Sequence, residues 1–112
     1  MNRFSAFALA GFGVVLALTT LPSASVAQSP AEQRGRTFVQ ANCAGCHSID
    51  KISPSPLQPA PPFRDLHRRY PVESLAEAFA EGIRTGHPSM PEFRLDPGQI
   101  RDVIGYLKSL ER

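Results

Sequence analysis

Two cysteines and a histidine within five residues limit what this chain can become more than any other feature. Cys43-Ala44-Gly45-Cys46-His47 is a C-x-x-C-H pattern, the mark of covalent haem attachment. Each residue type has a task. Two thiols add to the two vinyl groups of a porphyrin and become thioethers. The two intervening residues set the sulfurs one helical turn apart, matching the vinyl separation. His47 follows directly, which suits its imidazole to the iron as proximal ligand. The chain has no other cysteine, so none is left for a disulfide framework or a thiolate zinc site.

Three competing readings are weaker. A thioredoxin-like C-x-x-C needs a βαβ context, which the sequence lacks. A zinc site needs two more ligands, and the other histidines, His67 and His87, are not paired as H-x₃₋₅-H. A structural disulfide suits an oxidising compartment but leaves His47 without a reason.

The N-terminus reads as a secretory signal peptide over residues 1–27. Arg3 supplies the positive charge, Phe4 to Leu18 is apolar except for Ser5, and Ser25-Val26-Ala27 is a small-x-small cleavage site. The alternative is an uncleaved anchor, but the apolar run is short for a span and Thr19, Thr20 and Pro22 interrupt it. Export and haem attachment fit together, because ligation to C-x-x-C-H takes place outside the bacterial inner membrane. Residues 28–112 then form one small domain. A domain of that size buries only about 60% of its unfolded surface and gains from an internal staple; a buried haem is one. Twelve Lys and Arg against ten Asp and Glu leave no nucleic-acid footprint.

The mature part reads as all-α. There is no sustained period-two alternation and no hairpin signal. A first helix opens at Ser29, with Pro30 at its first position and Glu32 completing a capping box. It places Ala31, Gly35, Phe38, Val39 and Asn42 on one face and runs into Cys43. Ser48 to Pro62 is a long loop in which five prolines exclude regular structure; such a loop is expected to wrap something. Phe63, Leu66 and Tyr70 have the spacing of a short helix. Val72 to Ile83 reads as a better one, striped by Leu75, Phe79 and Ile83, with Gly82 and Gly86 at its end. Arg84 to Leu95 is irregular. A last helix opens at Asp96 with Pro97 and Gln99, and its stripe is Ile100, Val103, Ile104, Leu107 and Leu110.

Met90 is the candidate sixth ligand. It is the only methionine outside Met1 and lies in a proline-flanked loop, not on an amphipathic stripe where a core-filling methionine would sit. Met/His coordination raises the potential of a c-type haem. His87 and His67 are the alternatives and would lower it. The proximal imidazole needs a carbonyl for its Nδ1–H; Pro61 is the first choice and Pro62 the second. Arg84 or Arg94 is expected to neutralise a haem propionate, against the plainer reading of a solvated surface arginine.

These features resemble the small bacterial class I c-type cytochromes, across essentially all of the mature chain. The resemblance rests on Cys43, Cys46 and His47, on Ala60-Pro61-Pro62-Phe63, on Gly86-His87-Pro88-Ser89-Met90-Pro91 and on Gly105-Tyr106-Leu107. It implies a cytochrome c fold: three main helices and a short one around one covalent haem. It further implies crossed terminal helices in which a small residue meets an aromatic one (Gly35 and Phe38 against Tyr106). A proline carbonyl accepts from the proximal histidine in the family, and Pro61 takes that place. The glycine usual before that proline is Ala60 here. The expected function is a monomeric, periplasmic one-electron carrier that meets redox partner proteins transiently. It binds no nucleic acid and reaches membranes only through partner complexes or an uncleaved N-terminus. With both axial positions filled it is not expected to be an enzyme. The alternatives are a haem c subunit or domain partner of a periplasmic dehydrogenase or oxidase, or a haem enzyme whose methionine ligand is displaceable.

Overall fold

A computed structural model describes residues 23–84 and 89–112. Three α-helices carry the fold: α1 over Pro30–Asn42, α2 over Leu75–Glu81 and α3 over Pro97–Ser109. Two 3-10 segments, Phe63–Arg68 and Val72–Ser74, lie between α1 and α2. The described residues contain no strand, only one antiparallel bridge between Ile83 and Phe93.

The long helices begin where their capping residues dictate. Ser29 Oγ accepts from the Glu32 N–H at 3.2 Å, and Glu32 accepts from the Ser29 N–H at 2.9 Å. Asp96 and Gln99 repeat the exchange at 2.9 and 3.1 Å. Each box satisfies two helix-end donors and puts a proline at the first helical position; losing such a cap costs about 1 kcal/mol.

The helices α1 and α3 cross at Gly35, which is buried. A Cβ there would overlap the Asp102 backbone carbonyl and come within 2.9 Å of Tyr106 Cβ. Glycine is the residue that allows this approach. Phe38, on the same face of α1, turns its ring edge to Phe93, with centroids 6.3 Å apart. At the rim of the crossing Arg34 grips Asp102 through two bonds of 2.7 and 2.8 Å, and this guanidinium holds the Asp102 carboxyl below its ordinary range. Arg112–Glu32 at 2.8 Å and Lys108–Glu73 add further ties. Exposed pairs of this kind fix register more than they add stability. Val39, Val72, Val103 and Leu107 are fully buried beside Leu66 and Leu110. The hydroxyl of Tyr106, 3% exposed, donates to the Ile49 carbonyl at 2.7 Å. It thereby ties α3 to the loop that follows His47.

Two helical expectations change in detail. The stretch read as one helix over Val72–Ile83 starts as a 3-10 turn, becomes α2 at Leu75 and stops at Gly82. Gly82 has φ +103°, and a Cβ there would collide with the Glu92 carboxylate; the left-handed turn ends the helix and releases Ile83 into its bridge with Phe93. The segment Phe63–Arg68 is 3-10, not α, and Tyr70 falls outside it with 38% exposure. Pro71 accounts for the exclusion of Tyr70, because the residue before a proline is disfavoured in the α conformation.

Candidate functional site

Helix α1 does not stop at its last regular residue but runs on into a hydrogen-bonded turn. The N–H groups of Cys43 and Ala44 both reach the Val39 carbonyl, at 2.8 and 3.0 Å. Those of Cys46 and His47 then bond to the Cys43 carbonyl, at 3.1 and 2.9 Å. This turn brings Cys43, Cys46 and His47 to one cavity of about 310 Å³, walled by Phe38, Val39, Leu66, Phe79, Val103 and Leu107 among others. Its size and apolar lining are those of a small-molecule site.

The Cys43 thiol is quiet. Burial pushes the Cys43 thiol up to about 11, and Cys46 beside it adds to the rise. Catalytic and redox cysteines are shifted the other way. The two thiols are not joined as a disulfide. Among the described residues no group of three or more His, Cys, Asp and Glu is arranged to hold a metal ion directly.

His47 is held more firmly. Its Nδ1 lies 2.8 Å from the Pro61 carbonyl. A carbonyl can only accept, so Nδ1 carries the proton and Nε2 keeps a lone pair for a ligand. The Phe63 ring packs on the imidazole with centroids 4.7 Å apart and a 35° tilt. Pro61 is presented by a turn in which the Ala60 N–H bonds to the Leu57 carbonyl at 2.9 Å. No described residue other than a glycine has positive φ, so the alanine in the usual glycine position is accommodated without strain.

Met90 is half-buried and lines the same cavity. Its loop is gathered at the neck. The Ile83 N–H bonds to the Phe93 carbonyl at 3.0 Å and the Leu95 N–H to the Phe79 carbonyl at 2.9 Å. Arg84 meets Glu92 at 3.1 Å. Thus Cys43, Cys46, His47, Pro61 and Met90 all border one space. His67 is exposed on its 3-10 turn, and His87 lies outside the described residues. The arginines expected at a propionate are engaged elsewhere: Arg84 with Glu92, and Arg94 with the Glu81 carbonyl at 2.9 Å. Arg69 and Tyr70 border the cavity instead. Sequence reasoning did not single them out for this: the spacing marks Tyr70 only as part of a short helix, and nothing sets Arg69 apart from a surface arginine.

The donor set fits a flat, largely apolar macrocycle carrying iron. Two thiols lie one turn apart, an imidazole is fixed as a single tautomer, a thioether borders the same space, and the walls are apolar. Comparison with known proteins agrees. The family model described as cytochrome c matches residues 32–111. A cytochrome c-553-like protein of Synechocystis sp. is 32% identical over 80 residues, covering 69% of this chain and 67% of that protein. A cytochrome c-552 of Bradyrhizobium diazoefficiens is 29% identical over 98 residues, covering 88% and 92%. No solved structure gives a significant match. An all-helical frame, a C-x-x-C-H turn opening on an apolar cavity, and a family match over most of the length lead to one assignment: the chain belongs to the cytochrome c family and carries a covalently bound haem c with its iron.

Proposed function

We propose that the protein is a periplasmic one-electron carrier in which His47 and Met90 are the axial ligands of the haem iron. The observation that carries this reading is the shared cavity: an imidazole locked by Pro61 and the thioether of Met90 border the same apolar space as the two cysteines. The haem supplies a single-electron ferric/ferrous couple. The rest is the work of the chain. The Pro61 carbonyl accepts the hydrogen bond from Nδ1–H and strengthens His47 as a donor. The thioether of Met90 is a weaker donor and favours the reduced form, raising the potential. Phe38, Phe79, Val103 and Leu107 line the cavity with apolar surface, which keeps water from the redox centre. With both axial positions held by side chains, no position is left for substrate, so the role is transfer and not catalysis. Partners are redox proteins meeting a small, transient interface, and the carrier itself is a monomer.

The relatives are named as cytochromes, which supports this role. Export would rest on residues 1–27 as a cleaved signal peptide. Residues 1–22 lie outside the described residues, but 23–27 are exposed and outside any helix, as a peptidase requires. No helix among the described residues is long and apolar enough to cross a membrane.

The optical spectrum of ferric holoprotein at neutral pH tests the ligand assignment. A low-spin spectrum with a methionine–iron charge-transfer band is expected. A high-spin spectrum would instead indicate an open iron position and an enzyme.

A further inference from the structure

The residue after the haem-binding motif is bonded at every polar atom. The Ser48 N–H donates to Ser55 Oγ at 3.0 Å, its carbonyl accepts from the Phe63 N–H at 2.9 Å, and its hydroxyl accepts from Arg64 Nη1 at 3.1 Å. Ser48 is 4% exposed. The same Arg64 nitrogen reaches the Ser53 carbonyl at 2.7 Å and the Asp50 carbonyl at 3.3 Å. A surface arginine ordinarily keeps its head in water. This one is half-buried and turns one nitrogen towards three oxygens of a single loop.

The connectivity gives that grip a consequence. His47 precedes Ser48, and Pro61 is two residues before Phe63. The His47–Pro61 and Ser48–Phe63 bonds therefore close one small ring. Arg64 is the next residue along and fastens that ring to the 50–53 loop. The distance between His47 Nδ1 and the Pro61 carbonyl depends on how firmly these two stretches are held together.

We infer that Arg64 is a positioning residue for the iron: by clamping Ser48 and the 50–53 loop it sets the strength of the His47–Pro61 hydrogen bond, and through it the reduction potential. The inference rests on the reading of His47 as an iron ligand. Its sign is fixed. A weaker bond from Nδ1–H makes the imidazole a poorer donor, stabilises the ferric state less, and raises the potential.

The test uses holoprotein of Arg64→Leu and Arg64→Lys beside the wild type. Arg34→Leu serves as a control, removing the Asp102 pair at the helix crossing without touching His47 or Pro61. Arg64→Leu is expected to shift the redox equilibrium towards the reduced form by roughly three- to tenfold, tenfold being about 59 mV for one electron. The His47 Nδ1 proton should exchange faster by NMR. Arg64→Lys should recover part of both effects, and Arg34→Leu should lower the melting temperature with the potential unmoved. Potentials of both Arg64 variants equal to or below that of the wild type would overturn the inference. If neither variant assembles, proton exchange in the wild type decides: protection over hours supports the clamp, and exchange within the dead time of the measurement contradicts it. A high-spin wild-type spectrum would fail the ligand assignment itself, whereas a low-spin wild type with unmoved Arg64 variants fails only this inference.

Discussion

The two sides of the cavity are built on different plans. On the histidine side His47, the proposed first ligand, follows two residues destined for thioether bonds, its Nδ1 lies 2.8 Å from the Pro61 carbonyl, and its neighbour Ser48 is buried and fully bonded. On the methionine side Met90, the proposed second ligand, follows a stretch whose described ends are tied by backbone hydrogen bonds, by Arg94 to the Glu81 carbonyl and by the ion pair Arg84–Glu92, whose side chains are 83% and 42% exposed. A strong donor is anchored through the buried framework, and a weak donor is carried on a loop fastened at its neck. The contrast teaches that the two side chains answer to different forces. Covalent linkage and buried hydrogen bonds govern the imidazole; loop closure governs the thioether.

The contrast is sharpest when each side is removed outright. Cys43→Ala leaves one sulfur for attachment and should cut the yield of covalently linked holoprotein by about tenfold or more, read as haem-added mass after denaturation. Met90→Ala should leave that mass intact, lower the potential and turn the ferric spectrum high-spin. Equal loss of haem in both variants would erase the distinction. Next in size is the crossing on which both sides depend. Gly35→Ala gains about 1 kcal/mol of helix propensity but drives a Cβ into the Asp102 carbonyl, a backbone atom that cannot swing aside. Overpacking wins, and a net loss of about 1–3 kcal/mol is expected in thermal or denaturant unfolding of the holoprotein.

Smaller effects separate the two loops. Glu92→Gln removes the exposed ion pair and should weaken methionine ligation by less than about fivefold. It is read from the pH or denaturant concentration at which the methionine–iron band disappears. An effect as large as that of Met90→Ala would mean that the neck, and not the thioether bond, carries that side. The smallest change concerns the 50–53 loop on the histidine side. Bonds from the Ser53 side chain, then from the Ser53 and Ile52 N–H groups, pull Asp50 down to about 2. A carboxylate lowered on folding contributes stability that is present above its unfolded value of about 4 and fades as pH falls through its folded one. Asp50→Asn should therefore be the less stable protein at neutral pH, with the two acid-unfolding curves converging near pH 2. Parallel curves would contradict the role of that carboxylate.

What was legible in the sequence follows from how local the determinants are. Ser29 and Asp96 cap helices through partners three residues away, so both helix starts could be read directly. Pro61 was readable as the acceptor for His47 because a proline-rich loop after C-x-x-C-H offers carbonyls without competing donors. Arg64 was not. Its acceptors are Ser48 Oγ and two backbone carbonyls 11 and 14 positions away, and carbonyls carry no sequence signature. The division of Val72–Ile83 was hidden for a related reason. Leu75, Phe79 and Ile83 keep a helical period, but Gly82 turns left-handed against Glu92, a contact ten residues distant. The partners of Arg84 and Arg94 were hidden because Glu92 and the Glu81 carbonyl become their neighbours only through folding.

The most direct test of the central claim uses the scarcity of methionine. Met1 and Met90 are the only two in the chain, and export would remove the first. Holoprotein carrying ¹³C-methyl methionine, reduced and examined by NMR, should show one methyl resonance displaced far upfield by the ring current of the porphyrin directly beneath it. A Met90 methyl at the ordinary methionine position in the reduced protein would show that the thioether does not sit on the iron, and would contradict the account.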